Sequence, residues 1–270
     1  MRVRQPTIDF SLVQPRWTKN GEFAQSFNAL STVPAYIEPY LITVMRRGRE
    51  ALGDGPGDEE LRDDVEVFVR QEAQHFKLHR AYNNRLREAG GYDGMKPLEE
   101  RYDADYDRFL AKRSLRFNLG YSEGFEAIGA AGAEFWVDYA EMVLKDVDPA
   151  THELWRWHLA EEYEHRTVVH RLYHRLYGHG PRSYVTRVAT FLFAVVHIEA
   201  HTTRVMRYLV RADQAAMTPD EREASAKRAK EVTRNRRKNL WSVVKRVVRP
   251  GYDPGLLPPP KRLAAVLDAY

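Results

Sequence analysis

The chain has 270 residues, of which 43% are hydrophobic and 11% aromatic, so it can bury a large core and is not intrinsically disordered. It contains no cysteine, which excludes disulfides, thiolate metal sites and cysteine nucleophiles. Its net charge of +4 is too small to indicate nucleic-acid binding by itself. The N-terminal segment has no apolar signal sequence, and the longest apolar run, residues 188–196, is too short to span a bilayer, so we expect a cytoplasmic protein.

The positions of the prolines predict long helices. Of the 14 prolines, only Pro97 lies between residues 57 and 148, and proline usually ends a helix. Asp148-Pro149 has the form of a helix start, with a capping aspartate before a proline in the first turn. In chain order, the predicted helices cover residues 32–52, 58–89, 105–146, 149–178, 182–212 and 218–248. The sequence lacks strand-like alternation with hairpin turns, so the predicted fold class is all-α.

The remaining segments lie at the ends of the chain. Residues 1–30 are expected to form an irregular arm, and residues 250–270, which include the proline-rich segment GYDPGLLPPP, an irregular tail. The helical region between these two ends contains no internal repeat and no break in composition that would mark a domain boundary. We therefore expect one domain over residues 1–270.

Two of the predicted helices carry the same motif, Glu-x-x-His. The second helix contains Glu72 and His75, and the fourth contains Glu162 and His165. Three residues advance a helix by about 300°, so both side chains of each pair leave on one face. Ferritin-like dimetal proteins take such a pair from two of their four helices and a single glutamate from each of the others. The motif therefore predicts a ferritin-like four-helix bundle with additional C-terminal helices.

The other two helices of that bundle offer single glutamates. The first contains Glu38, and the third contains Glu123 and Glu126. Small residues one and two turns after Glu126 leave room for a close neighbouring helix, so Glu126 is the preferred ligand and Glu123 is assigned to the surroundings of the site or to the surface. Carboxylates and imidazoles suit a pair of divalent ions, for which iron is the first expectation and manganese or zinc the alternatives.

The fourth helix offers one more candidate ligand. His158 lies four residues before Glu162 and seven before His165, so the three side chains form one stripe. His158 could be a third histidine ligand. Because it lies beside Trp155 and Trp157, it could also be a hydrogen-bonded core residue.

Other polar residues near these motifs are open to two interpretations. His79 lies one turn beyond the first pair and could orient a ligand, or be an ordinary core or surface histidine. His197 and His201 have a metal-like spacing, but packing of their helix across the bundle is the favoured interpretation. Helix rotation turns Glu161 and Glu164 away from Glu162, so solvent contact or salt bridges are expected for both.

Three segments resemble a known family. QEAQHFKLHRAYN (71–83), WRWHLAEEYEH (155–165) and RPGYDP (249–254) are similar to segments of the bacterial predicted metal-dependent hydrolases, in the same order along the chain. Glu38 looks like the family's first-helix glutamate. The resemblance implies metal ligation by Glu72, His75, His158, Glu162 and His165. With His158 as a ligand, the site would also be similar to that of the dimetal arylamine N-oxygenases.

These residues leave three functions open. Carboxylate-rich metal pairs inside helical bundles favour an O₂-activating di-iron oxidoreductase that oxygenates or desaturates a small organic substrate. A metal-dependent hydrolase is the alternative, and a non-enzymatic metal-binding protein the second alternative. The oxidoreductase would need a separate electron-donor protein, because the sequence has no flavin or nicotinamide fingerprint. The chemistry is assigned to the metals, and the candidates for the lining of the substrate pocket are Tyr36, Phe76, Phe125, Trp155 and Trp157.

A basic segment lies near the C-terminus. Residues 227–249 contain ten lysines or arginines and one glutamate. The favoured interpretation is a solvated helix face whose apolar side, including Trp241 and Val244, packs on the bundle. A weak contact with an anionic membrane surface or an acidic partner is the alternative. Nucleic acid is not expected as a partner, because no reader motif accompanies the charge, and a homodimer is left open.

Overall fold

The computed structural model describes residues 1–144 and 146–270, and every regular element in those ranges is helical. The α-helices are α1 (Gly21–Ser31), α2 (Pro34–Glu50), α3 (Asp58–Gly90), α4 (Met95–Lys112), α5 (Leu115–Glu134), α6 (Ala140–Val143), α7 (Pro149–His165), α8 (Val168–Tyr177), α9 (Pro181–Gln214), α10 (Pro219–Val247) and α11 (Leu263–Asp268). A π-helical segment, Phe135–Tyr139, joins α5 to α6, and a 3-10 turn, Pro254–Leu256, precedes α11. The predicted all-α fold class is confirmed.

Four helices, α2, α3, α5 and α7, form the bundle that contains the predicted ligands. α2 packs along α3 and α5 packs along α7, and the two pairs meet through α2 with α5 and α3 with α7. α4 provides the long connection between α3 and α5, as the crossover does in ferritin-like bundles. α8, α9 and α10 pack against other faces of α5, so additional C-terminal helices surround the bundle as predicted.

Two helix starts follow from local capping chemistry. The Asp148 carboxylate accepts a hydrogen bond of 2.8 Å from the backbone N–H of Thr151, and α7 begins at Pro149 as predicted. Thr218 and Glu221 form a reciprocal capping box at the start of α10. Among the described residues, no helix is both long and apolar enough to cross a membrane.

The predicted helix 105–146 is wrong in its bounds. A helix, α4, already begins at Met95, and it ends at Lys112. A new helix starts after Ser114, whose hydroxyl accepts a hydrogen bond of 3.2 Å from the backbone N–H of Phe117. Neither proline nor glycine marks this break, so the proline pattern could not reveal it.

The predicted helix 149–178 is interrupted at Arg166-Thr167, which separates α7 from α8. The Arg166 guanidinium donates to the carbonyl oxygens of Tyr163 at 2.7 Å and Pro254 at 2.9 Å. The Arg166 side chain therefore satisfies the Tyr163 carbonyl, which would accept a backbone hydrogen bond in a continuous helix. Its second bond links the break to the C-terminal tail.

Both irregular ends contain more structure than predicted. The Asn20 side chain accepts from the backbone N–H of Phe23 at 2.9 Å, and this cap starts α1 inside the predicted irregular arm. In the tail, the Asp138 carboxylate accepts from the backbone N–H groups of Lys261 and Arg262, immediately before α11. Short helices held by single caps give too weak a sequence signal to be found by periodicity.

Candidate metal centre

Six of the predicted ligands converge inside the bundle, and each is at most 1% exposed. They form two overlapping groups of four, and within each group one ligand atom per residue lies within 4.8 Å of the others. The first group is Glu38, His75, His158 and Glu162. The second group is Glu72, His75, Glu162 and His165. Three separate helices therefore contribute to one buried cluster of carboxylate oxygens and imidazole nitrogens.

The donor atoms of this cluster lack the partners that buried polar atoms normally have. Among the residues that the structure describes, both carboxylate oxygens of Glu38 and of Glu72 lack a hydrogen-bond partner, and so do His75 Nδ1, Glu162 Oε2 and His165 Nε2. An unpaired buried polar atom costs about 1–3 kcal/mol. A divalent cation would satisfy these atoms together, and mixed oxygen and nitrogen donors suit iron, manganese or zinc. The residues therefore fit a metal site.

The electrostatics of the cluster point the same way. Burial raises the pKa of Glu38 and of Glu72 well above the ordinary glutamate value, and the charge of a neighbouring carboxylate raises each further. Burial also acts to raise the pKa of Glu162, but the hydrogen bond with His158 and the charge of His165 outweigh it, and this pKa is lowered. Carboxyl groups with a raised pKa hold protons, and these protons are displaced when a cation binds.

His75 is held by a residue that the sequence analysis assigned elsewhere. Its Nε2 lies 3.0 Å from Oε2 of Glu161, so the ring donates there and leaves Nδ1 for the cluster. Glu161 is fully buried, and its other oxygen accepts from Arg4 at 3.0 Å. Of the two contacts expected for Glu161, solvent or a salt bridge, the structure contains the salt bridge, with Arg4 at 3.0 Å. Glu161 is buried because the rotation that turns it away from Glu162 turns it toward α3. Glu164 does form the expected type of salt bridge, with Arg4 at 2.8 Å.

Glu126 belongs to neither group of four, but it contacts His165, a member of the second group. Its Oε2 lies 3.0 Å from His165 Nδ1, while its Oε1 is buried without a partner. The opposite ring nitrogen, Nε2, lies 3.2 Å from Glu72 Oε1. In this arrangement Glu126 orients His165, and direct ligation by Glu126 stays a prediction.

His158 faces the cluster, and His79 supports it from behind. His158 Nε2 lies 3.0 Å from Glu162 Oε1 and 3.3 Å from Glu38 Oε1. Its Nδ1 lies 2.7 Å from Nε2 of His79, whose Nδ1 lies 2.8 Å from the Ser31 hydroxyl. Burial, together with the charge of His158, lowers the pKa of His79 well below the ordinary value, so His79 is neutral. No sequence pattern indicated Ser31, because it belongs to a helix that was not predicted.

Two further histidine candidates lie outside the cluster, and so does Glu123. Glu123 is buried, but it accepts from His170 Nδ1 at 2.7 Å and has no place in either metal group. His197 hydrogen-bonds to Tyr121, and His201 stacks on Tyr102 at 3.8 Å between ring centroids. In the described residues, the spacing of His197 and His201 thus reflects packing of α9, the favoured interpretation.

A glycine on α5 provides the space that the Glu162 carboxylate occupies. A Cβ atom at Gly129 would lie 2.3 Å from Glu162 Oε2 and 3.0 Å from its carboxyl carbon. The run of small residues after Glu126 therefore admits a ligand side chain as well as a neighbouring helix.

Comparison with known families favours one of the expected enzyme classes over the other. The family model described as predicted metal-dependent hydrolase matches residues 2–256. The chain belongs to this family. It matches none of the curated proteins and none of the solved structures with which it was compared.

Membership in the predicted metal-dependent hydrolases corrects the expected reaction. The main expectation was an O₂-activating di-iron oxidoreductase, and the family description supports the alternative, a metal-dependent hydrolase. The expectation failed because carboxylate and histidine ligands in a bundle define metal binding but not the reaction. The separate electron donor was expected only for the oxidoreductase.

The cluster of candidate metal ligands borders a cavity of about 520 Å³. Phe125 and Trp155, two of the candidates for the pocket lining, line this cavity together with His158 and Glu162. The other lining candidates do not face it, because their helix faces point elsewhere. Trp157 packs edge-on against the His75 ring, with centroids 4.8 Å apart. Tyr36 and Phe76 lie instead beside Arg80. The guanidinium carbon of Arg80 is 5.5 Å from the Tyr36 ring centroid and 4.9 Å from the Phe76 ring centroid.

Proposed function

We propose that this protein is a hydrolase that uses two divalent metal ions to cleave an ester or amide bond in a small, largely apolar substrate. The observation that carries the proposal is the pair of overlapping ligand groups next to a cavity, in a member of a metal-dependent family. His158 and Glu162 belong to the cluster and to the cavity wall. A substrate in the cavity would therefore meet the metal ligands directly.

Glu162 is suited to serve both ions, and His75 only one. Glu162 has two carboxylate oxygens, and both groups include it. His75 has a single available nitrogen, Nδ1, because Nε2 donates to Glu161. Glu38 and His158 would therefore help to hold one ion and Glu72 and His165 the other, while Glu162 could contribute to both and His75 to one of them.

When bound, such ions supply Lewis acidity, which polarises a carbonyl oxygen and lowers the pKa of a coordinated water toward neutrality. The chain contributes orientation and a dry site. Each cluster histidine has a partner for the ring nitrogen that faces away from the cluster: Glu161, Glu126 or His79. Such contacts fix the tautomer and the ring orientation. The apolar walls around the cluster exclude bulk water, which strengthens every electrostatic interaction there.

The proposal is tested with purified protein loaded with zinc or manganese under nitrogen. We expect hydrolysis of activated esters such as 4-nitrophenyl acetate and 4-nitrophenyl butyrate without O₂ or a reductant. Glu72→Gln should reduce the rate at least a hundredfold, because it removes a charged ligand from the site. Glu66→Gln is the matched control on the same helix, since the Glu66 side chain is 45% exposed and its ion pair is with Arg70, away from the cluster. Equal rates for wild type, both variants and metal-free protein would contradict the proposal.

A further inference from the structure

The cavity beside the cluster of candidate ligands is lined by polar residues from two helices. α7 contributes His158 and Glu162 to the lining, and α10 contributes Arg236 and Arg246. Between them the lining is largely apolar and includes Phe125 from α5. A volume of about 520 Å³ lies in the range of cavities that hold small organic ligands.

The two arginines reach the cavity because of their spacing on α10. Arg236, Asn239, Val243 and Arg246 follow at intervals of three or four residues, and all four line the cavity. The basic segment 227–249 is therefore not only a solvated face. Its apolar packing also differs from the prediction, because Val244 is buried but Trp241 is 58% exposed.

Both guanidinium groups have donors without partners. In the described residues, Arg246 makes no ion pair, and its Nε is buried without a hydrogen-bond partner. Arg236 uses Nη2 to bind Glu199 at 2.9 Å and Thr203 at 3.0 Å, but its Nε and Nη1 are buried without partners. Burial lowers the pKa of Arg236 even though the Glu199 carboxylate opposes this, which marks a guanidinium that is short of compensating charge.

The acids near the cavity do not neutralise this wall. Glu199 lines the cavity, but it is shared between Arg236 and Arg237, at 2.9 and 3.4 Å. Glu134 lines the cavity from an exposed position on α5. Unpaired guanidinium donors in a partly desolvated wall favour an anion such as a carboxylate, to which each arginine can donate a charge-assisted hydrogen bond.

We propose that the cavity selects a substrate with an apolar body and a carboxylate at the end that faces α10, with Arg236 and Arg246 as its specificity-determining residues. The identity of the bond that is cleaved rests on the proposed function, whereas recognition of the carboxylate does not. The ligand class is thus an apolar monocarboxylate whose scissile bond lies toward His158 and Glu162.

Binding of a matched pair of probes tests this selection. We would titrate 4-phenylbutanoate and 4-phenylbutan-1-ol into the metal-loaded protein by calorimetry. Wild type should bind the acid at least tenfold more tightly than the alcohol. Arg246→Gln and Arg236→Gln should each weaken the acid about tenfold and leave the alcohol within twofold. Arg234→Gln is the control on the same helix, because its side chain is 75% exposed and does not line the cavity.

Three outcomes are distinguishable. If the acid and the alcohol bind equally, or if the acid loses affinity in Glu72→Gln but not in Arg246→Gln, the carboxylate does not bind at α10 and the proposal is overturned. If the arginine variants behave as expected but no ester is hydrolysed, the carboxylate site stands and the proposed function fails. Arg246→Gln is the decisive variant, because it breaks no ion pair among the described residues and its melting curve should therefore match that of the wild type.

Discussion

The Nε2 atom of His75 lies 3.0 Å from Oε2 of Glu161, a buried carboxylate whose other oxygen accepts from Arg4. The opposite ring nitrogen, Nδ1, is therefore held facing the cluster of candidate ligands. Carboxylates behind histidine ligands raise the basicity of the ring and hold its orientation, and their loss typically costs 10–100-fold in metal affinity. The centre therefore depends on residues that themselves bind no metal.

Glu161→Gln should lower the affinity for zinc about 10–100-fold, because a neutral amide holds His75 less strongly than a carboxylate. Competition with a chromophoric chelator measures the change. Glu164→Gln is the control, since Glu164 also pairs with Arg4 but does not contact His75. Equal losses in the two variants would assign the effect to Arg4 instead of to His75.

Gly129→Ala should displace the Glu162 carboxylate, because the added Cβ would lie 2.3 Å from Oε2. We expect the metal content to fall by half or more while the helical circular dichroism is unchanged, since alanine favours a helix over glycine by about 1 kcal/mol. Gly132→Ala is the matched control on the same helix, where the new Cβ would meet Leu159 at 3.2 Å. Full metal content in Gly129→Ala would show that Glu162 does not need this space.

His201 predicts a pH dependence of stability away from the metals. Burial, aided by the charges of His197 and Arg204, lowers the pKa of His201 to about 3. A histidine in the unfolded chain has a pKa of about 6.5, so below that pH the unfolded state binds a proton that the folded state does not. Stability is therefore lost as the pH falls from about 6.5 toward 3, by at most about 1.4 kcal/mol per pH unit.

Urea unfolding of metal-free protein at pH 7 and pH 5 measures this contribution. His201→Gln should be less stable than wild type at pH 7 but should lose less stability on acidification. His179→Gln, at an exposed position, should keep the wild-type dependence. The same slope in all three proteins would mean that His201 protonates without unfolding.

The candidate membrane contact of the basic segment stays a prediction, and the structure defines its test. A groove of about 1510 Å³ between α9 and α10 contains no metal-ligand residue and combines the exposed Trp241 with Arg204, Arg207 and Arg237. At low salt the protein should sediment with phosphatidylglycerol vesicles and not with phosphatidylcholine vesicles. Trp241→Ser should weaken this binding, and Trp17→Phe, inside the core, should not. Absence of sedimentation with either vesicle would remove the membrane from the list of partners.

Local geometry explains which parts of the centre the sequence could predict. Glu72 with His75, and Glu162 with His165, share a face through helical periodicity alone. Glu161 and Ser31 could not be assigned, because their contacts depend on how one helix is rotated against another. The same limitation explains why the sequence could not show that Tyr36 lies away from this cavity, beside Arg80. The reaction class could not be predicted either, because the same ligand set can serve different reactions.

The breaks between helices follow the same rule. Asp148 predicts the start of α7, because an aspartate in the capping position followed by proline is a pattern that is visible in the sequence. Ser114 makes an equally effective cap, but it lies in a segment without proline or glycine. The π-helical segment Phe135–Tyr139, whose Phe135 lines the cavity, has no sequence signature that periodicity can detect.

The metal-to-protein ratio after equilibrium dialysis against zinc tests the central claim most directly. Two overlapping ligand groups predict about two ions per chain in wild type. Glu72→Gln, which changes one group, should retain about one ion, and Glu162→Gln, which changes both, should retain fewer than one. A wild-type ratio near zero, or a ratio that Glu162→Gln leaves unchanged, would contradict a metal centre at this position in the bundle.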